Sequence, residues 1–204
     1  MLTRRLWSKS PSLSARWFRS PQHGRAFSAL TPDGKEALVS RLLTAKESSG
    51  LSFDEIAAKL GLTNLNAAQL FFNQAQLKDA TAEKLAALIP GIAKEDLKLM
   101  KMAPFRSFDP AIVQEPTVYR LNEAVFHYGQ AVKAIVNERC GDGIMSAIDL
   151  YSRIDTVTGV HGEQRVVITL SGKFLPYIEQ HADQDMSVLP KTVKVQSTPS
   201  KKKK

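Results

Sequence analysis

A linker containing two prolines divides this sequence into two halves with different hydrophobic patterns. The linker occupies residues 103–110 and includes Pro104 and Pro110. Proline fixes φ and disfavours helix in the residue before it, so no helix is expected to run through this segment. Residues 33–103 carry short helical patterns, whereas the later residues carry one long helical pattern and then extended, β-branched runs. This order predicts an α+β fold, with a helical bundle followed by a small helix-plus-strands domain.

Five short helices are expected in the first half, residues 33–103. The sequence around Ser52 predicts a capping box, because Glu55 follows three residues later. Thr81 is expected to cap the fourth helix without a reciprocal acid. The predicted ranges are 35–47, 53–60, 65–74, 82–87 and 94–100, with breaks at Gly50, Gly61, Asp79 and Pro90-Gly91.

The second half, residues 113–176, is expected to begin with a long helix and to continue as strands. The helix begins at Val113 or Pro116 and ends at Glu138, before the turn signal Gly141-Asp142-Gly143. An extended run begins over 144–150, and the strands expected after Ser146 are 147–154, 165–170 and 173–175. One helix and three short strands form too small a core, so we expect the strands to pair with another subunit. The apolar residues expected in the core and in subunit contacts are Leu121, Val125, Tyr128, Val132, Ile135 and Val136.

The long helix carries a charged pair that suits a small anion. Arg120 and Glu123 are three residues apart, so their side chains lie on one helix face and reach each other. A carboxylate that holds a guanidinium fixes the direction of its planar fork. Ser146, after the glycine turn, adds a hydroxyl at the start of the extended run. Two structural alternatives remain open. Arg120 and Glu123 would form an exposed ion pair that contributes little to stability, and Ser146 would be an ordinary turn residue.

Several segments after the linker resemble the catalytic domain of the cyanase family (cyanate hydratase, or cyanate lyase). They occur in the family's order over residues 116–176, and a weaker resemblance extends back to residue 35. The segments are Pro116-Thr117-Val118-Tyr119-Arg120, Tyr128-Gly129, Gly141-Asp142-Gly143-Ile144, Ser146-Ala147-Ile148, Arg165-Val166-Val167-Ile168-Thr169-Leu170 and Gly172-Lys173-Phe174-Leu175-Pro176.

This resemblance implies an enzyme that decomposes cyanate to ammonia and carbon dioxide through carbamate, with bicarbonate as second substrate and without a cofactor. The family's catalytic arginine, glutamate and serine fall on Arg120, Glu123 and Ser146. Arg120 would align the anions, Glu123 would hold Arg120, and Ser146 would donate a hydrogen bond. The resemblance also implies a homo-oligomer, a decamer assembled from dimers with interlocked C-terminal domains, with active sites between subunits.

A helix-turn-helix regulator with a C-terminal oligomerisation domain is the rival hypothesis. Residues 51–62 and the helix after them resemble repressor-like DNA-binding domains, in which the second helix enters the major groove. Residues 66–74, however, contain no lysine or arginine and include Phe71 and Phe72. Since phosphate contacts supply much of the affinity for DNA, we expect no nucleic-acid partner.

The chain's basic charge belongs to its two ends. The formal net charge is +8, but ten of the 28 Lys and Arg residues lie in residues 1–31 and 201–204, which contain no acid. Residues 32–200 then carry 18 basic and 20 acidic side chains, a net charge of −2. Residues 180–204 are expected to form a flexible basic tail. No argument from net charge to nucleic-acid binding by the folded part remains.

Residues 1–31 have the composition of a mitochondrial transit peptide. They are rich in arginine and serine, contain no acid and include scattered large apolar residues. One alternative is a plastid signal. The other is an extension with no targeting function, which would leave the protein cytoplasmic. The sequence contains no continuous apolar stretch that would span a membrane, so no membrane association is expected.

Cysteine and histidine usage predicts neither a disulfide nor a metal. Cys140 is the only cysteine, and its place before the glycine turn suggests a small buried residue rather than a nucleophile. The four histidines, His23, His127, His161 and His181, are scattered and lack partners at ligand spacing. Because no histidine base accompanies Ser146, a serine-hydrolase mechanism is not expected.

Overall fold

The structure, a computed structural model, describes residues 31–181, and for Pro32 only the backbone. The predicted transit segment up to residue 30 and the predicted basic tail from residue 182 onward lie outside these residues. The described residues divide into two compact units: one combines those up to Phe108 with Ser152–Ile168, and the other combines Asp109–Tyr151 with those from Thr169 to His181. The helices precede a two-stranded antiparallel sheet, so the predicted α+β class is confirmed.

The first unit contains five helices that enclose an apolar core. The helices are α1 (Pro32–Ser49), α2 (Phe53–Leu60), α3 (Asn64–Phe71), α4 (Asp79–Leu88) and α5 (Lys94–Met100). The most deeply buried side chains of this core, in the helices and in the segments between them, are Leu38, Leu42, Ile56, Phe71, Leu77, Leu85, Ile89 and Met100. Phe53 packs edge-on against Phe71, with the ring centroids 5.7 Å apart.

Local capping signals determine where α1 and α2 begin and end. Gly50 and Gly61 follow the two helices with φ of 68° and 73°, a conformation that costs glycine no steric strain. The predicted capping box is present: Ser52 Oγ accepts from the Glu55 amide at 3.2 Å, and Glu55 Oε2 accepts from the Ser52 amide at 2.8 Å. Both helices therefore follow from short-range sequence.

Helices α2 and α5 have the predicted ranges, whereas the boundaries of α1, α3 and α4 differ from the prediction. Helix α4 begins at Asp79, so Thr81 lies inside the helix and is not its cap. Asp79, predicted as a break, is instead an acid in the first helical turn, where the helix dipole favours it, and it pairs with Lys101 at 2.6 Å. Helix α3 ends at Phe71 instead of residue 74, because Asn73 adopts a left-handed conformation with φ of 47°.

The second unit has a long helix and parts of two long strands. A short 3-10 turn, Pro110–Gln114, precedes α6 (Pro116–Cys140), and β1 (Gly143–Thr158) and β2 (Gln164–Pro176) form one hairpin. The prediction of three short strands was wrong. Ser171-Gly172 was interpreted as a turn, but both residues lie within β2, which pairs with β1.

Helix α6 has no buried residue, although it is 25 residues long and half apolar. Cys140, expected to be buried, is exposed at its C-terminal end. Large apolar side chains are also exposed along both strands. A single copy of the second unit therefore has no core of its own comparable to that of the helical unit. No helix among residues 31–181 is long and apolar enough to cross a bilayer.

Candidate functional site

The start of α6 places Arg120 and Glu123 in the first two turns of the helix. Pro116 occupies the first helical position, where its missing N–H costs no hydrogen bond. Glu115 precedes it as the N-cap, and its Oε2 accepts from the Val118 amide at 3.0 Å. Proline and cap together fix where the helix begins, and hence which face carries the charged pair.

Arg120 and Glu123 form the ion pair that their spacing predicted. Arg120 Nη1 donates to Glu123 Oε2 at 2.5 Å. The Arg120 side chain is 72% exposed and its guanidinium carbon lies 5.4 Å from the centroid of the Tyr119 ring. Among the described residues Glu123 is the sole hydrogen-bond partner of Arg120, so Nε and Nη2 remain available to an oxyanion. The Glu123 carboxylate thus orients the guanidinium and leaves its other N–H groups available to a ligand.

Ser146 is buried, and its hydroxyl closes a local turn. It lies in β1 and is only 7% exposed. Its Oγ accepts from the amides of Ile148 at 3.1 Å and Asp149 at 3.0 Å. Since a hydroxyl has two lone pairs and one hydrogen, both acceptor positions are filled by these amides. The remaining capacity of Ser146 is to donate, which suits a group that hydrogen-bonds an anion.

The turn at Ser146 is part of a bulge in β1. Gly159 N–H bonds to Glu163 oxygen at one end of the hairpin, and Tyr177 N–H bonds to Asp142 oxygen at the other. Between these pairs β1 advances 17 residues, from 142 to 159, but β2 only 14, from 163 to 177. The extra residues of β1 cannot all pair with β2. The amides of Ile148 and Asp149, which donate to Ser146 Oγ, belong to this unpaired part of β1. Bulges of this kind redirect a side chain.

Two glycines allow the strands to approach each other closely beside Ser146. A Cβ on Gly172 of β2 would collide with the backbone oxygen of Ser146 and the side chain of Met145. A Cβ on Gly143 would collide with the Phe174 ring and the backbone oxygen of Leu175. Neither position tolerates a side chain without movement of β1 or β2. Sequence reasoning missed this role, because a glycine after serine looks like a turn signal.

Lys133 of α6 connects the helix to the beginning of β1. Its Nζ donates to the Gly143 carbonyl oxygen at 3.0 Å and lies 3.3 Å from Asp142 Oδ1. The contact joins residues ten apart across a turn, so no helical or strand spacing in the sequence signals it. Lys133 therefore fixes the beginning of β1, three residues before Ser146, against the helix that carries Arg120.

Of the three predicted catalytic residues, the structure brings Arg120 and Glu123 into contact. Ser146 makes no hydrogen bond to either of them within the described part of the chain. No group of three or more His, Cys, Asp or Glu side chains within residues 31–181 is arranged to hold a metal ion. The arrangement offers a fixed cation and a fixed hydroxyl donor, and both are suited to binding an anion.

Comparison with known proteins gives consistent results. Residues 110–179 match the family model of the cyanate lyase C-terminal domain. The chain is 53% identical over 154 residues to a cyanate hydratase of Phaeodactylum tricornutum, covering 75% of this chain and 80% of that protein. It is 48% identical over 155 residues to a cyanate hydratase of Arabidopsis thaliana, covering 76% and 92%.

A solved structure agrees with the sequence relatives. The crystal structure of cyanase from T. urticae covers 69% of this chain and 97% of its own, with 31% identity and a TM-score of 0.60. The similarity thus includes both the helical and the hairpin halves. On the strength of the sequence identities and the shared fold, the chain belongs to the cyanate hydratase family.

Proposed function

We propose that this protein is a cyanate hydratase, a lyase that decomposes cyanate to ammonia and carbon dioxide with bicarbonate as second substrate. The observation that carries the proposal is family membership over most of the chain, including the segment with Arg120, Glu123 and Ser146. The helix-turn-helix regulator is not supported by any reported relative, since each is named as a cyanate hydratase or cyanase.

The chemistry is the combination of two anions. An oxygen of bicarbonate adds to the carbon of cyanate, and the bicarbonate proton moves to the cyanate nitrogen, giving a dianionic adduct. Cleavage of the bond between the bridging oxygen and the carboxyl carbon releases carbon dioxide. Protonation then gives carbamate, which takes up a second proton and breaks down to ammonia and another carbon dioxide. Bicarbonate is consumed, so it is a substrate and not a cofactor.

Arg120 offsets the repulsion between the two anions. Coulomb repulsion between like charges a few ångströms apart is large in a partly desolvated site, and a fixed guanidinium lowers it without reorganising. Glu123 keeps the fork oriented through the 2.5 Å contact with Nη1. Ser146, with its lone pairs occupied by the amides of Ile148 and Asp149, donates to a substrate oxygen or nitrogen.

We also propose that the second unit is completed by further copies of the chain, ultimately as a decamer built from dimers. The support is the exposed apolar surface: Phe126 of α6 is 80% exposed and Ile148 of β1 is 99% exposed. Many large apolar side chains exposed in this way are typical of a protein interface. Light scattering should give a mass about ten times the 22.5 kDa of one chain, less any segment removed on import.

The experiment that tests the function is ammonia release from cyanate by the purified protein, with and without bicarbonate. Release that requires bicarbonate and consumes it in equal amount to cyanate is expected. A correctly assembled oligomer that releases no ammonia with both substrates present would contradict the proposal.

For residues 1–31 we propose mitochondrial import; a fluorescent fusion that stays in the cytoplasm or enters plastids would oppose it.

A further inference from the structure

The first residue of α3, Asn64, uses all of its side-chain hydrogen-bonding capacity within the first unit. Its Nδ2 donates to Asp54 Oδ1 at 2.7 Å and to the Ile154 carbonyl oxygen at 2.6 Å. Its Oδ1 accepts from the Ile154 amide at 3.0 Å and from the Leu65 amide at 2.8 Å. The side-chain amide of Asn64 thus joins α2, α3 and the strand β1.

The contact with Ile154 lies on the outer edge of β1. In an antiparallel ladder the N–H and C=O of one residue face the same neighbour. Both groups of Ile154 bond to Asn64, so they face away from β2, the other strand of the hairpin. The side chain takes the place of a third strand at this residue. Covering an edge in this way also blocks pairing with another strand there.

The orientation of the Asn64 amide follows from its partners. The Ile154 N–H requires an oxygen and the Ile154 carbonyl requires an N–H donor, so a flipped amide would leave both contacts repulsive. Asp54 on α2 accepts the second Nδ2 hydrogen and holds this orientation. Asn64, held by Asp54, thus presents its Nδ2 as donor and its Oδ1 as acceptor to the peptide groups of Ile154.

The Nδ2 donor and Oδ1 acceptor of an asparagine are also the groups with which it recognises a base in DNA. Asparagine recognises adenine by donating from its Nδ2 and accepting at its Oδ1, and the N-terminal residues of a recognition helix make such contacts. Here both groups are occupied by the backbone of Ile154. Helix α3 also has no basic residue with which to bind phosphate.

We propose that the α2–α3 element is an internal docking surface for the chain's own β1, and that Asn64 is the residue that clamps the strand. The two helices then hold β1 at Ile154 instead of binding nucleic acid. Asp54 is a positioning residue for the clamp. This role is independent of the proposed catalysis, because it depends only on contacts inside the first unit.

Hydrogen–deuterium exchange at the Ile154 amide tests the clamp in the full chain without substrate. In Asn64→Ala the amide loses its acceptor, and its exchange should become about tenfold faster, the factor expected from one or two hydrogen bonds of ordinary net strength. Asn66→Ala, on the exposed face two residues along α3, is the matched control and should leave Ile154 unchanged. Equal exchange at Ile154 in both variants and the wild type would overturn the proposal.

A second variant keeps the test valid if Asn64→Ala does not fold. Asn64→Asp has the same shape but replaces the donor Nδ2 with an oxygen that faces the Ile154 carbonyl and the Asp54 carboxylate. It should increase exchange at Ile154, because repulsion between these oxygen atoms separates β1 from α3. DNA binding is tested by titrating the wild type and the alanine variants with a short random-sequence DNA duplex at low salt. Salt-dependent binding by the wild type that Asn64→Ala abolishes and Asn66→Ala preserves would assign Asn64 to DNA and overturn the clamp.

Discussion

The ammonium group of Lys133 donates to the carbonyl oxygen of Gly143 at 3.0 Å. Lys133 lies on α6, the helix that carries Arg120 and Glu123, and Gly143 is the first residue of β1, the strand that carries Ser146. One side chain therefore links the element with the cation to the element with the hydroxyl donor. Because catalysis by fixed dipoles depends on their placement, Lys133 is expected to act through the position of Ser146.

Replacing Lys133 with methionine should reduce kcat for cyanate about tenfold, because the beginning of β1 loses its connection to α6 and small misplacements in a catalytic site are costly. Lys133→Arg retains a donor and should recover part of the loss. If Lys133 acts through Ser146, the methionine substitution should cost much less in a Ser146→Ala background. An equal loss in both backgrounds would mean that Lys133 contributes only to general stability.

Gly172→Ala should reduce turnover about a hundredfold, since the new methyl group would overlap the Ser146 carbonyl oxygen and force β1 away from β2. Gly129→Ala is the matched control. Gly129 lies inside α6 with nothing within 4 Å of the added Cβ, and alanine there should keep activity and slightly increase helix stability. Steady-state kinetics of the two variants, with light scattering to confirm assembly, makes the comparison. Full activity in Gly172→Ala would refute the close approach of the strands.

The sequence predicted the elements whose signals are local. Ser52 with Glu55 and the glycines at 50 and 61 specify helix ends through contacts within four residues, and the structure has helix ends at those positions. Arg120 and Glu123 were found for the same reason, because helical periodicity alone brings them together. Thr81 failed as a cap because a threonine is also compatible with a helix interior.

The features around Ser146 were not predictable in this way, since they depend on pairing between distant residues. Gly172 had the same local appearance as a turn glycine, and only the backbone of Ser146 across the hairpin explains why no side chain is present. The bulge in β1 follows from the unequal lengths of two strands between bonded pairs. The exposure of Cys140 likewise depends on what packs against the end of α6.

Asp96→Asn should destabilise the helical unit by about 1.5 kcal/mol, the lower end of the range for hydrogen bonds to charged groups. Asp96 is 5% exposed and accepts from Arg41 Nε and Nη2, the latter at 2.7 Å. Asp79→Asn is the control: its partner Lys101 and Asp79 itself are both exposed, so its loss should be too small to resolve. Urea unfolding followed by helical circular dichroism compares the two. Equal midpoints for both variants would contradict the special role of Asp96.

The capping box should make the helical unit less stable in acid. The backbone hydrogen bond from Ser52, followed by that from its hydroxyl, lowers the pKa of Glu55 below its ordinary value of 4.5. A lowered folded pKa means that the stabilisation is complete above the unfolded value and is lost as the pH falls through the folded one. Glutamine also completes a capping box but does not titrate. Glu55→Gln should therefore lose less stability than the wild type between about pH 5 and pH 3, as measured by urea unfolding at each pH. If both proteins lose the same stability over this range, the capping box is not the cause of the acid sensitivity.

Arg120→Lys should lose about a hundredfold in kcat while assembly is preserved, because lysine keeps the charge but not the planar fork that Glu123 orients. Arg139→Lys, in the last turn of the same helix, repeats the substitution away from the pair and should retain full turnover. Bicarbonate-dependent ammonia release measures both variants, and light scattering verifies their mass. Near wild-type turnover in Arg120→Lys would mean that a point charge suffices at this position. In that case Glu123 would not act by orienting a guanidinium.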